Sequence, residues 1–134
     1  MILAAAACCG ISACGGGSDY ANKPRPAAPI NITAAISTKK ISISPKSFGA
    51  GPIVVIISNQ TNNPQTVTVQ TQELGGSKPG IKQSSNPIGP QGTGSMKLNV
   101  REGQYEVSVK GGITPASVKV GKARASAQDQ LLQP

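Results

Sequence analysis

From residue 30 onward, apolar side chains alternate with polar ones at a spacing of two, which is typical of β-strands with one buried face. Ile30–Ile36 is a clear example, since Ile30, Ile32, Ala34 and Ile36 alternate with other residues. One run, 52–57, is continuously β-branched after its proline and favours a strand covered on both faces. Seven short strands are predicted in all, around residues 30–36, 41–43, 52–57, 67–69, 96–100, 105–109 and 118–120.

Turn-forming residues separate these segments, and no segment before residue 122 has a convincing helical period. The pattern therefore predicts an all-β fold, a Greek-key β-sandwich in which each strand contributes one face to the core. We expect this domain to cover residues 30–121. The turns are Gly49-Ala50-Gly51-Pro52, Asn62-Asn63-Pro64, Glu102-Gly103 and Gly111-Gly112.

Three stretches do not fit the strand pattern. Residues 15–29 are rich in Gly and then in Pro, which indicates a tether. Residues 72–93 hold five Gly and three Pro, and a connection of that length is usually functional or disordered. Residues 122–134 are expected to form a polar tail, with at most a turn of helix.

Composition excludes several kinds of chemistry. The 134-residue chain has no His and no Trp, and its three Cys all fall within the first fourteen residues. Catalysis by His, a His or Cys metal cluster inside the domain, a Cys nucleophile and a disulfide framework are therefore excluded. We expect no cofactor and no metal.

The first thirteen residues form an apolar run that is too short to span a bilayer but suits the core of a secretion signal. The run ends in Ile11-Ser12-Ala13-Cys14, followed by three glycines and a serine. This sequence resembles the lipobox of bacterial lipoproteins. The resemblance implies that residues 1–13 are a signal peptide and that Cys14 receives a diacylglyceryl group and becomes the first residue of the mature chain. Residues 14–29 would then tether the domain to the extracytoplasmic face of the cell membrane.

One feature departs from the lipoprotein pattern, because no Lys or Arg precedes the apolar run. We therefore expect the true translation start to lie upstream of Met1. An ordinary cleaved signal, or a buried N-terminal helix, is the alternative interpretation of this segment.

The order of the predicted strands resembles that of a cupredoxin, the Greek-key sandwich of small blue copper proteins. Residues 44–51 resemble the segment in which a Pro and an aromatic precede a Gly-led strand. Residues 53–59 resemble the strand whose final Asn opens the copper-side loop. Residues 101–105, Arg-Glu-Gly-Gln-Tyr, resemble the start of the strand that delivers a Cys ligand, and residues 118–120 resemble the closing strand.

The copper ligands of that family are missing from this chain. The resemblance places the first His at Gln65 and the Cys at Val109, while the second His would fall among residues 110–112. No Met for the axial position occurs in residues 113–116. Blue copper requires a thiolate and two imidazoles, so we expect neither copper nor electron transfer.

The leading hypothesis is a lipid-anchored, metal-free, cupredoxin-like module that binds or scaffolds an unknown protein or envelope polymer and is not an enzyme. The candidate surface is the end that holds copper in the family, with the alternative that its loops are plain connectors. The candidate residues are Asn59, Asn62, Asn63, Gln65, Gly111, Gly112 and Thr114.

Two other functions are alternatives. An unrecognised enzyme could use a Ser–Lys pair, but no flanking signature supports one. A basic module could bind anionic lipids or polymers, because the formal net charge is +8 and such attraction fades with salt. The bases are scattered along the sequence, which is typical of solvated strand faces. Nucleic acid is not expected as a partner, since aromatic stacking platforms are missing.

Overall fold

The computed structural model describes residues 26–72 and 80–126, and these contain β-strands joined by turns and irregular connections. Cys14 and the rest of residues 1–25 lie outside the described ranges. So do residues 127–134, which include most of the stretch, 125–132, where the sequence allows at most a turn of helix. The strands are β1 (Ile30–Ile36), β2 (Ile41–Ser44), β3 (Ser47–Asn59), β4 (Thr68–Thr71), β5 (Lys82–Ser84), β6 (Thr93–Val100), β7 (Gly103–Ser108) and β8 (Ala116–Ala123).

The first of two sheets contains β2, β1, the second half of β3, and β6. β1 is antiparallel to β2 and parallel to β3, which places Ile36 opposite both Ile41 and Asn59. β6 is antiparallel to β3 and forms the far edge of the sheet. The second sheet contains the first half of β3, followed by β8, β7, β4 and β5.

β3 belongs to both sheets because the chain changes direction within it. Residues 47–50 pair in parallel with β8, and Lys40 forms a parallel bridge with Thr114 just before β8. β2 and residues 47–50 therefore follow one path beside β8. Since β2 is antiparallel to β1 whereas residues 53–59 are parallel to it, the two halves of β3 run in opposite directions. The turn predicted at Gly49–Pro52 is this reversal.

The core lies between the two sheets and is built almost entirely from aliphatic side chains of alternating strand positions. Burial of these side chains is the main stabilising contribution that a chain with so few aromatic residues can make. Tyr105 is the buried aromatic residue in this core, and Phe48 packs against it half-buried. The most deeply buried members are Ile32, Ile36, Ile57 and Val67.

The all-β sandwich predicted from the sequence is confirmed, and residues 26–72 and 80–126 contain eight strands rather than seven. The additional strand is β5, a three-residue, fully exposed segment that pairs with β4 through Thr68, Val69 and Gln70. It lies within the long excursion expected at residues 72–93. The last strand also extends beyond the expected limit of the domain at residue 121, since Ala123 pairs with Ala50.

The sandwich has two ends with different connections. The ends of the strands bring together residues 37–40, 60–67, 85–92 and 109–115, which we name the loop end. The opposite end, named the base, is formed by residues 26–29, 50–52, 101–102 and 123–126. Among the described residues, no helix has the length and apolar character needed to cross a membrane.

Candidate functional site

Asn59 ends β3 at the loop end, where its side chain is completely buried with 0% exposure. Its Nδ2 amide donates to the carbonyl oxygen of Asn63 at 2.8 Å, to that of Ile88 at 3.0 Å and to that of Gly89 at 3.1 Å. A buried amide group is stable only when its polar atoms are paired. Asn59 therefore joins the β3–β4 connection to the β5–β6 connection.

The oxygen of the same side chain organises its own loop. Asn59 Oδ1 accepts from the Thr61 backbone N at 3.0 Å and lies 2.7 Å from Thr61 Oγ1. The Thr61 hydroxyl, on a side chain that is 4% exposed, also lies 2.9 Å from the Asn63 carbonyl oxygen and accepts from Gln65 Nε2 at 3.3 Å. These side-chain bonds brace the backbone of residues 59–65 from within the loop.

The β5–β6 connection packs against this loop from the other side. Gln65 and Ile88 exchange two backbone hydrogen bonds, of 3.0 and 2.8 Å. Gln91, which has a φ of 57°, donates from Nε2 to the carbonyl oxygens of Gln60 and Thr61 at 3.2 and 3.3 Å. A groove of about 210 Å³ lies beside this connection, lined by Ser85, Asn86, Pro87, Ile88, Thr93 and Gly94 among others.

The remaining part of the loop end is held by Thr114. Its backbone N donates to the Lys39 carbonyl oxygen at 2.9 Å, and its own carbonyl oxygen accepts from the Ile41 backbone N at 3.0 Å. The β7–β8 connection is thereby bound to the β1–β2 turn. Gly111 and Gly112 are both exposed, and a Cβ on either would meet no atom within 4 Å.

The predicted candidate residues thus divide into two groups. Asn59, Asn63 and Gln65 converge on one hydrogen-bond network, while Asn62 lies exposed on the same loop. The second group lies at the same end but is bound to the β1–β2 turn, and consists of Gly111, Gly112 and Thr114.

Sequence reasoning missed three members of the first network, namely Thr61, Ile88 and Gln91. Ile88 and Gln91 contact residues about thirty positions away in sequence, and Thr61 acts through a local turn. The one signal in the sequence is the Asn-x-Thr spacing of Asn59 and Thr61. It allows a side-chain oxygen to accept from the backbone N–H two residues later, as Asn residues do in turns.

The base contains a second groove, with a volume of about 530 Å³, lined among others by Pro26, Pro52, Arg101, Glu102 and Arg124. The Arg124 guanidinium does not face a ligand there, because it donates to the carbonyl oxygens of Ala28, Ala50 and Pro52. The other two charged side chains of the groove have opposite signs. This arrangement joins segments of the fold and offers little to a charged ligand.

The residues at the copper-ligand positions do not fit a blue copper centre. Val109 is 9% exposed and belongs to the apolar core, and Gln65 supplies an amide that donates to Thr61. Neither side chain can replace the thiolate or imidazole that such a centre needs. In the described ranges, no three His, Cys, Asp or Glu side chains come together in a way that could hold a metal ion.

Blue copper proteins are among the solved structures with a fold similar to that of the described residues. Auracyanin A, a "blue" copper protein from the green thermophilic photosynthetic bacterium Chloroflexus aurantiacus, superposes with a TM-score of 0.53 at 13% identity, covering 69% of this chain and 99% of its own. An auracyanin from Roseiflexus castenholzii gives a TM-score of 0.48 at 13% identity, covering 70% and 98%. The described domain therefore has a cupredoxin-like fold, and identities this low show the fold alone.

No protein-family model matches the chain, and no curated protein matches it in sequence.

Proposed function

We propose that this protein is a lipoprotein anchored at the extracytoplasmic face of the cell membrane, whose metal-free cupredoxin-like domain acts as a binding or scaffold module. The observation that carries the proposal is the construction of the loop end. There a side-chain amide network centred on Asn59 fixes the loops, and the ligand positions hold Gln65 and the buried Val109. An end built in this way can present a rigid surface without a metal.

The proposed anchor is Cys14, in the lipobox-like sequence Ile11-Ser12-Ala13-Cys14. Two acyl chains on its first residue would give a stable membrane attachment, which a single chain does not provide. Mass spectrometry of the native protein's N-terminus, with a metal assay on the same sample, tests this directly. We expect a mature chain that begins at an acylated Cys14 and contains no stoichiometric copper. An intact Met1 on a protein in the soluble fraction would contradict the proposal.

The binding surface is proposed to be the exposed part of the loop end. Asn62 and Gly112 are suited to a test because both are exposed, and a Cβ on Gly112 would meet open space. We expect Asn62→Tyr combined with Gly112→Tyr to abolish capture of a partner from envelope fractions. The control is Asn99→Tyr combined with Gln104→Tyr, at exposed positions of β6 and β7. Equal capture by both variants would exclude the loop end as the binding surface.

We further propose that the domain performs no catalysis. The described acidic side chains, Glu102 and Glu106, lie outside the loop end, and no His is present to act as a base. A general hydrolase screen of the purified chain is expected to be negative. Turnover that persists after repurification would require the enzyme alternative.

A further inference from the structure

The basic side chains, which look scattered along the sequence, include three that the fold brings to the loop end. Lys39 and Lys40 lie in the β1–β2 turn, and Lys110 lies in the β7–β8 connection, all of them exposed. The two acidic residues of the described ranges lie elsewhere, since Glu102 is at the base and Glu106 is within β7, opposite Gln70 and Ser117. The described loop end therefore has positive charge without a compensating carboxylate.

The turn that holds Lys39 and Lys40 is fixed by hydrogen bonds. Ser37 Oγ accepts from the backbone N of Lys40 at 3.1 Å and donates to the Lys40 carbonyl oxygen at 2.9 Å. Thr114 then binds this turn to the connection that contains Lys110. The backbone positions of Lys39 and Lys40 are thus tied to the connection that carries Lys110, which lowers the entropy cost of engaging the three side chains together.

The surface between these lysines is open to close approach. Gly111 and Gly112 follow Lys110 directly, both are exposed, and a Cβ on either would meet no atom within 4 Å. Glycine is the residue that best allows a ligand to reach the backbone, and backbone N–H groups donate readily to phosphate oxygens.

The position of the three lysines favours a polymer as the ligand over the surface of the membrane that would hold the anchor. Residues 26–29 reach the domain at the base, where Arg124 Nη1 donates to the Ala28 carbonyl oxygen at 3.0 Å. A tether attached there joins the domain at the end of the sandwich opposite the three lysines. A folded protein partner is less suited to this end, since such interfaces depend on aromatic and Arg anchors. The described aromatic residues, Phe48 and Tyr105, instead lie in or against the core.

We propose that Lys39, Lys40 and Lys110 form a binding surface for a phosphate-bearing polymer of the cell envelope. Lysine binds phosphate as a compact point charge, and three separated charges match a chain of repeating anions. This inference rests on the proposed binding function and names the partner class of the same loop end.

The test uses the full chain carrying Cys14→Ser, with inorganic polyphosphate as the probe. The surface variant changes Lys39, Lys40 and Lys110 to Glu. The control changes Lys97, Lys119 and Lys122 to Glu, which alters net charge equally at exposed positions of β6 and β8. We expect the surface variant to bind about tenfold or more weakly and the control to retain most of its affinity, because contacts outweigh net charge at physiological ionic strength.

Both triple variants are checked for folding by circular dichroism. If the surface variant is unfolded, Lys→Gln at the same three positions replaces it and is expected to give a smaller loss in the same direction. Equal losses in surface variant and control would overturn the proposal, and so would polyphosphate binding that is unchanged in the surface variant.

Two further probes distinguish the ligand class. Tighter binding to polyglutamate, or to vesicles of phosphatidylcholine and phosphatidylglycerol, than to polyphosphate would also overturn the assignment. The anchor proposal is judged separately by the state of Cys14 in the native protein, so failure of one leaves the other intact.

Discussion

At the residue scale, Asn59 is the group on which the loop end depends most. Its amide nitrogen faces three carbonyl oxygens and its oxygen accepts from Thr61. A side chain that must donate on one side and accept on the other can be supplied by Asn, whereas Asp and Leu of similar size lack one or both functions. The position therefore specifies the residue type more strictly than any exposed residue of the same loop.

Asn59→Asp is expected to destabilise the protein by about 2–4 kcal/mol at neutral pH. The buried carboxylate oxygen that replaces Nδ2 would face three carbonyl oxygens and find no donor among them. Lowering the pH should recover part of this loss, since the pKa of the introduced carboxyl is raised and its protonated form can donate. Asn62→Asp, at an exposed position three residues later in the same loop, should change stability by less than about 0.5 kcal/mol. Urea unfolding of both variants across pH measures the difference. Equal stabilities would contradict the role assigned to Asn59.

Tyr105 provides a second residue-scale test. Its hydroxyl accepts from the Arg101 backbone N at 2.9 Å and donates to the Arg101 carbonyl oxygen at 3.0 Å. Tyr105→Phe keeps the buried ring but leaves both backbone groups without this partner, so a loss of about 1–2 kcal/mol in unfolding free energy is expected. A free energy of unfolding unchanged from the parent would show that water replaces the hydroxyl without cost.

At the element scale, the reversal within β3 is stabilised by Arg124, the residue that follows β8. Arg124 donates from its backbone N to the Ala50 carbonyl oxygen at 2.9 Å and from its guanidinium to that of Pro52. A Cβ on Gly49 would come within 2.6 Å of Arg124 Cγ, and one on Gly51 within 2.7 Å of Nη2. Both glycines therefore make room for the arginine, and Gly51, with a φ of 138°, also allows the chain to turn.

Gly51→Ala is expected to cost more stability than Gly103→Ala. Both glycines have positive φ, 138° and 152°, but the Cβ on Gly103 would meet nothing within 4 Å. Backbone strain of about 1–3 kcal/mol is common to both, while contact with Arg124 is added at Gly51. Combining Gly51→Ala with Arg124→Ala should then cost less than the sum of the single changes. If the losses in unfolding free energy measured by chemical denaturation add strictly, contact with Arg124 is not the cause of the extra cost at Gly51.

The same element shows how far sequence could lead. Alternation predicted most strands and their buried faces, and the glycine-rich stretch at residues 49–52 predicted the reversal. β5 was missed because its three residues are all exposed and have no alternation to detect. The sequence predicts only a polar tail at Arg124, because its partners Ala28, Ala50 and Pro52 are distant in sequence. The resemblance to cupredoxins predicts Asn59 as a candidate residue. Its partners Ile88 and Gly89 are distant in sequence, so no local pattern predicts them.

At the scale of the whole molecule, β3 makes the two sheets parts of one cooperative unit. Its first half pairs with β8 and its second half with β1 and β6. Unfolding one sheet therefore removes part of the other. In a Tyr20→Phe background, fluorescence of Tyr105 reports on the second sheet and far-ultraviolet circular dichroism reports on both. The two transitions in urea should coincide, and separate midpoints would show that the sheets unfold independently.

The hydrogen bond between Arg124 and Ala28 brings the two outer segments of the described domain side by side. A short linker from residue 126 back to residue 26 would therefore join neighbouring points, and a circularly permuted chain opened at Gly112 should keep the sandwich. The same proximity means that a surface or label coupled after residue 126 would hold the domain by the same end as one coupled before residue 26.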